Sequence, residues 1–306
     1  MIDKLIDRII ELKNPTCVGL DTKFDYLPSP CVVQAADPLE TAARSIYGYN
    51  CALIDAVCDI VPSVKVQAAY YEMYGWQGVK CFYDTVRYAK DKGLIVIADV
   101  KRNDIGATAS AYAAAYLGRT DVRGESAAAF DADFATVNGY LGTDGIKPFA
   151  DVCASGDRGI FVLVKTSNAS SGELQDLDCG GATVYEKMAD MVAEWGKGLI
   201  GRHGYSDVGA VVGATYPEQA ERIREKHPGM FILIPGYGAQ GGSAEGILPN
   251  FDSKGRGGIV NNSRAILTAY RSERYAGKDF ADAARAAALD MQRDILDTFA
   301  AKGISY

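Results

Sequence analysis

Nowhere in this 306-residue sequence does an apolar run approach the roughly 18 residues that a membrane-crossing helix needs. The opening stretch MIDKLIDRIIELKN spaces its apolar residues at helical intervals between charges, and it lacks the apolar centre of a secretory signal. Histidine is scarce. His203 and His227 stand beside Gly204 and Pro228 in loop-like settings and form no ligand pair, so no zinc site is expected. The seven cysteines (17, 31, 51, 58, 81, 153 and 179) include no C-x-x-C pair, are odd in number, and fall partly inside apolar runs. Buried thiols in a reducing compartment follow, and with them a cytoplasmic protein. A basic excess is missing as well. The formal net charge of −7 argues against a broad nucleic-acid surface, whereas a small anionic ligand needs only a local cationic pocket.

What remains is an ordinary globular composition in a chain long enough to bury a core without metal or disulfide support. Short β-branched runs recur along it: CVGLD (17–21), SVKVQAA (63–69), LIVIADVK (94–101) and FATVNG (134–139). GIFVLVK (159–165), VGAVVGA (208–214), MFILIPG (230–236) and GGIVNNS (257–263) continue the series. Helical patterns at 70–92, 106–119, 182–197 and 217–227 separate them. Strand and helix alternate over the whole chain with no break in composition. This predicts an α/β fold of the (β/α)8 TIM-barrel type, one domain over residues 1–306, in preference to an open doubly wound sheet. Segments 141–158 and 168–181 exceed what a minimal barrel needs, and the sequence suggests no function for them.

The longest connection, GYGAQGGSAEGILPNFDSKGRGG (236–258), joins the seventh and eighth runs. Barrels often hold phosphate with the loops after those strands, so this segment is expected to be a phosphate gripper. Its GYGAQG also fits the dinucleotide fingerprint. That motif needs an immediate helix and an acid ending the next strand, and here Asn261 and Asn262 stand in the acid's place.

The chemistry concentrates in IADVKRNDIGATA (97–109). Asp99 and Lys101 are two residues apart at a strand end, so they share a face with Ile95 and Ile97 and point toward the barrel axis. Asp104 follows just beyond. Lys65, in VPSVKVQAAYYE, adds a second cation on the preceding strand. Each has a plain reading alone: Asp99 as a helix-capping carboxylate, either lysine as a solvated surface group. Together they are harder to dismiss. Opposite charges about 4 Å apart attract by roughly 4 kcal/mol at an effective dielectric near 20. Desolvation offsets this by several kcal/mol per ion, so such a cluster roughly breaks even for stability. Chemistry is the better reason for it.

These residues resemble a known family. D-x-K-x-x-D-I followed by threonine, here DVKRNDIGAT, is similar to the signature of the orotidine 5′-monophosphate decarboxylases. Lys65 and the Asp21 of VGLDTKFDYLP fall at matching positions, and motifs match on strands one, two, three, five, seven and eight. The resemblance implies conversion of orotidylate to uridylate and carbon dioxide, without metal or cofactor. It implies a charged tetrad of Lys65, Asp99, Lys101 and Asp104, with Asp104 and Thr108 reaching the neighbouring subunit's site in a homodimer. Asp21 and Lys65 would hold ribose hydroxyls, and the Ser167 of VKTSN would meet the pyrimidine edge. Gln240 and the Arg264 of NNSRAI would grip the phosphate. The chemistry is coherent with those roles. Losing carbon dioxide from carbon 6 leaves a carbanion with no adjacent electron sink, which an ammonium can stabilise and then protonate. Lys101 suits that task, with Asp99 fixing it in place.

Two positions depart from the pattern. Ser263 precedes Arg264 where many relatives carry glycine, and Thr22-Lys23 follow Asp21 where longer relatives often carry Pro-Arg. The Ala/Tyr-rich stretch 107–118 is expected to pack on its symmetry mate. Three other readings stay open. The Mg²⁺-dependent hexulose-phosphate synthases and ketogulonate-phosphate decarboxylases share D-x-K-x-x-D, but they carry an acid on the second strand where Lys65 stands. A Schiff-base aldolase would use Lys165 in VLVKTSNASSG (162–172). A non-catalytic phosphate-binding barrel would keep Arg264 and the glycine-rich loop but leave the paired charges without a task.

Overall fold

The alternation seen in the sequence closes on itself in a computed structural model that describes residues 1–238 and 241–304. Its strands are β1 (Thr16–Leu20), β2 (Ser63–Gln67), β3 (Ile95–Arg102), β4 (Thr120–Val122) and β5 (Glu125–Ala127). Then come β6 (Phe134–Val137), β7 (Gly159–Lys165), β8 (Val208–Val212), β9 (Ile232–Ile234) and β10 (Gly258–Asn262). All except β4 and β5 pair in parallel into a closed barrel of order β1-β2-β3-β6-β7-β8-β9-β10. Each of the eight runs expected from sequence overlaps one barrel strand, so the TIM-barrel expectation holds.

The helices are α1 (Ile2–Leu12), α2 (Pro38–Val57), α3 (Ala69–Glu72), α4 (Gly75–Asp91), α5 (Gly106–Tyr116) and α6 (Thr143–Ser155). They continue with α7 (Gly172–Gln175), α8 (Val184–Gly196), α9 (Pro217–Lys226), α10 (Ala244–Ile247), α11 (Arg264–Leu267) and α12 (Phe280–Ala301). Local signals start several of them. Asp37 accepts from the Leu39 amide ahead of Pro38, and Thr183 and Glu186 form a reciprocal capping box on α8. Among the described residues no helix is long and apolar enough to cross a membrane.

Side-chain alternation sorts the interior into two cores. Val96, Ile160 and Val260 turn outward and pack against the surrounding helices. Ile97, Phe161 and Ile259, the adjacent residue in each case, turn inward with Phe134, Phe231 and Leu233. The buried face of α1 (Ile2, Leu5, Ile6 and Ile9) joins this inner cluster and plugs the barrel at the end remote from the site. The inner core leaves the carboxyl ends of the strands for polar groups, which is where barrel chemistry sits.

One expectation needs correction. Segment 141–158 does not exceed what a minimal barrel needs, because most of it forms α6, the helix that follows β6. Residues 120–127, given no structure from sequence, form the exposed β4–β5 hairpin, with Arg123 at φ 53° and Gly124 at φ 85° in its two-residue turn. Positive φ at both central residues suits the right-handed twist of a tight hairpin, although arginine is an unusual choice there. The seven cysteines are free. Cys17, Cys81 and Cys153 are buried, and burial pushes each thiol up to about 12.

Phe161 is fully buried, stacks on Phe134 at 5.0 Å between ring centroids and lies 6.3 Å from Phe231. Phe161→Ala should therefore lower unfolding free energy by about 3–5 kcal/mol in denaturant titrations, as large-to-small changes in packed cores do. A loss under about 1 kcal/mol would mean that the inner core is not close-packed at this layer.

Candidate active site

The carboxyl ends of the barrel strands surround a cavity of about 690 Å³. Asp21, Lys65, Asp99, Lys101, Ser167 and Arg264 all line it. Six of the nine residues singled out from sequence are thus brought to one place by five different strand ends. Gln240 lies outside the described residues. Asp104 and Thr108 do not line the cavity. Asp104 is half-buried, with Oδ1 accepting from the Ile105 amide at 2.7 Å, and Thr108 is exposed on α5.

Asp99 is the hub. Its Oδ1 accepts from Lys101 Nζ at 2.6 Å and from Thr136 Oγ1 at 2.8 Å. Its Oδ2 accepts from Lys65 Nζ at 2.7 Å and from Gln67 Nε2 at 2.8 Å. Lys65 also reaches Asp21 Oδ1 at 3.4 Å, so charge alternates along Asp21, Lys65, Asp99 and Lys101. Burial by itself would push the Asp99 carboxyl up, but the charges of Lys65 and Lys101 outweigh it and hold the group well below the usual carboxylate range. Burial would likewise pull Lys65 down, and Asp21 with Asp99 holds it above its ordinary value instead. Lys101 sits at φ 45°, a left-handed conformation that costs a non-glycine residue on the order of 1–3 kcal/mol.

Other parts of the rim follow from local structure. Gly19 faces Ser263, and a Cβ there would fall 1.9 Å from the serine hydroxyl, so this approach of β1 to the start of α11 requires glycine. Arg264 is exposed, and no carboxylate partners its guanidinium among the described residues. Lys23 holds its ammonium over the rings of Tyr70 and Tyr26, at 5.3 and 5.9 Å. Segment 168–181, without a role in the sequence reading, tethers the Ser167 loop: Gln175 accepts from the Thr166 amide at 2.9 Å, and Asp176 pairs with Lys165 at 2.7 Å. Lys165 itself is fully buried, faces the Tyr216 ring at 4.4 Å and does not line the cavity. An enclosed, ion-paired ammonium with no access to substrate is not an aldolase nucleophile.

Gln67 and Thr136 were missed from sequence. The signal was there, since Gln67 lies two residues after Lys65 and Thr136 two after the inward Phe134, the same spacing that joined Asp99 to Lys101. Asn261 is a third omission, a buried amide on the cavity wall whose Oδ1 has no partner among the described residues.

Fold and cavity together define a TIM-barrel enzyme with its charged groups gathered at the carboxyl ends of the strands. The chain belongs to the Orotidine 5′-phosphate decarboxylase / HUMPS family, whose profile matches residues 17–280. It is 42% identical over 292 residues to the orotidine 5′-phosphate decarboxylase of Rhodopirellula baltica, a match covering 94% of this chain and 96% of that one. Identity to the enzyme of the same name from Caldicellulosiruptor saccharolyticus is 44% over 282 residues, covering 91% and 92%. Among solved structures, Leishmania donovani OMP decarboxylase matches with a TM-score of 0.73 at 27% identity, covering 97% of this chain and 98% of that one. Leishmania donovani UMP synthase matches 98% of this chain with a TM-score of 0.75 and 29% identity, and this chain spans 56% of that longer protein.

The depressed Asp99 pKa has a testable sign. A depressed carboxylate contributes stability above its unfolded value, near 3.9, and loses that contribution only as pH falls through its folded value. The carboxyl carbon shift of Asp99 should therefore stay flat in NMR spectra recorded from pH 8 down to about 4. A midpoint at or above about 4 would contradict the network. Asp99→Ala should destabilise the protein by about 3–5 kcal/mol in the same denaturant titration, because buried Lys65 loses its nearest anion.

Proposed function

We propose that this chain decarboxylates orotidine 5′-phosphate to uridine 5′-phosphate in pyrimidine biosynthesis, with no metal or cofactor, in the cytoplasm. The observation that carries this reading is the alternating chain Asp21–Lys65–Asp99–Lys101 in one cavity with Arg264, which has no carboxylate partner among the described residues. In this reading the nucleotide lies with its phosphate toward Arg264 and the 236–258 loop, its ribose toward Asp21 and Lys65, and its pyrimidine toward Ser167. The residues 1–306 act as one catalytic domain with that loop as gripper. Phosphate binding, remote from the reacting carbon, is then available to close the loop and exclude water.

The bond from carbon 6 to the carboxylate breaks and leaves its electron pair on carbon 6. Carbon dioxide departs neutral. Lys101 stabilises the carbanion through its ammonium, donates one proton to carbon 6, and is reprotonated from solvent. Asp99 holds Lys101 in place and faces the departing carboxylate. The metal-dependent branch of the family fits the site less well. Lys65 occupies the second-strand position, and it and Lys101 already neutralise Asp99, so a divalent cation there would meet two ammoniums.

Asp104 and Thr108 complete the site from a second copy. They lie off this chain's own cavity, and the small exposed residues of α5 (Gly106, Ala107, Ser110 and Ala111) permit close approach of a symmetry mate. Neither nucleic acid nor membrane has a part in the reading.

Purified protein should turn over orotidylate, followed by loss of pyrimidine absorbance, with undiminished rate in excess EDTA and after borohydride treatment with substrate present. No turnover, or turnover abolished by EDTA, would overturn the proposal. Lys101→Ala should lower kcat by about 10⁴-fold or more, since proton donation and charge stabilisation go together. Uridylate should still bind that variant. For the shared site, mixing Lys101→Ala with Asp104→Ala subunits should restore about a quarter of wild-type activity, because a random two-fold dimer regains one intact site in half its copies. Mixtures no more active than either parent would place both residues in one subunit's site.

A further inference from the structure

The ladder between β3 and β6 is broken at the catalytic strand end. Ala98 pairs with Ala135, yet the next pair is Arg102 with Val137, so β3 has two more residues than β6 between these pairs. The excess falls on Asp99, Val100 and Lys101, and there Lys101 takes its left-handed conformation. A bulge of this kind takes backbone N–H groups away from the carbonyls they would meet in a regular ladder. Here the Val100 and Lys101 amides both turn to a side chain, the Thr136 hydroxyl, at 2.9 Å each.

A hydroxyl offers two lone pairs and one proton. Both lone pairs of Thr136 are taken by those amides, so its proton has one remaining direction, and Asp99 Oδ1 lies there at 2.8 Å. The same oxygen accepts from Lys101 Nζ at 2.6 Å. Thr136 is 1% exposed, so no bulk water competes for any of these bonds. One hydroxyl therefore fixes the backbone from which Lys101 springs and the carboxylate to which its ammonium is held.

We propose that Thr136 is a positioning residue for Lys101: its hydroxyl locks the β3 bulge and sets where the Lys101 ammonium sits. This deepens the decarboxylase reading and rests on it. The residue acts through Lys101 and Asp99, so its removal should reach kcat and spare ligand binding, which relies on other groups of the cavity.

The test compares Thr136→Val, Thr136→Ala and Thr136→Ser with wild type for orotidylate turnover and for uridylate affinity by titration calorimetry. Valine keeps the shape and removes the hydroxyl. It should lower kcat about 100-fold, the scale of an ångström-sized misplacement, with the uridylate Kd within about threefold of wild type. Serine restores the hydroxyl and should recover kcat to within about fivefold, which a packing role for the methyl group would not give. Should the valine protein fail to fold, the alanine and serine pair decides, alanine falling with valine and serine with wild type. The proposal is overturned if valine or alanine keeps kcat within about threefold of wild type, if serine is as impaired as alanine, or if kcat and uridylate affinity fall together. Wild-type protein that does not turn over orotidylate would instead overturn the decarboxylase reading itself.

Discussion

Everything at the site depends on one buried carboxylate. Asp99 has four donors on two oxygens, two of them ammoniums, and it is almost wholly enclosed. In the low dielectric of a barrel mouth such a group holds its partners strongly, and removing the carboxylate leaves the buried Lys65 ammonium without its nearest anion. The barrel supplies the rigidity. β1, β2, β3 and β6 are hydrogen-bonded neighbours, and each contributes one or two members of the network within reach of the hub. The α1 plug and the phenylalanine layer beneath fill the interior below it, so the charges have no room to relax inward.

Under the proposed function the network serves catalysis by preorganisation rather than by stability. A cluster of alternating charges roughly breaks even as a stabilising device, and Lys101 adds a strained backbone to the cost. In that reading the return is a cation fixed beforehand where negative charge would develop, so the protein need not reorganise during reaction. Arg264, with no carboxylate partner among the described residues, and Lys23, held over two tyrosine rings, give the same cavity a cationic side. Its positive character is local, so the proposed binding of an anionic nucleotide is compatible with an acidic chain.

Much of this was legible in the sequence because a parallel barrel writes its strands as β-branched runs and its functional groups at their ends. All eight runs became barrel strands, and DVKRND marked the strand that carries the hub of the charged cluster. The reason given for pairing Asp99 with Lys101 was only partly right. Plain pleating predicts that residues two apart share a face, but here a bulge and a left-handed lysine bring them together. Bulges have no period, so no pattern in β3 announced it. Gln67 and Thr136 were overlooked because polar residues at strand ends carry no motif of their own. Segment 141–158 was misread because Gly145 and Pro148 disguise a helix, and segment 168–181 gained its meaning only from side-chain contacts folded back to the end of β7, which tether the Ser167 loop. Asp104 and Thr108 lie off this chain's own cavity, as their proposed contribution to a second subunit's site requires.

The central claim is that the cavity is built for negative charge at carbon 6 of the pyrimidine. The most direct measurement is the affinity of a uridylate analogue bearing an anionic oxygen at that carbon, relative to uridylate itself. The account predicts binding tighter by at least about 10³-fold, as for ligands that carry the charge of a transition state. Equal affinity for the two nucleotides would contradict it.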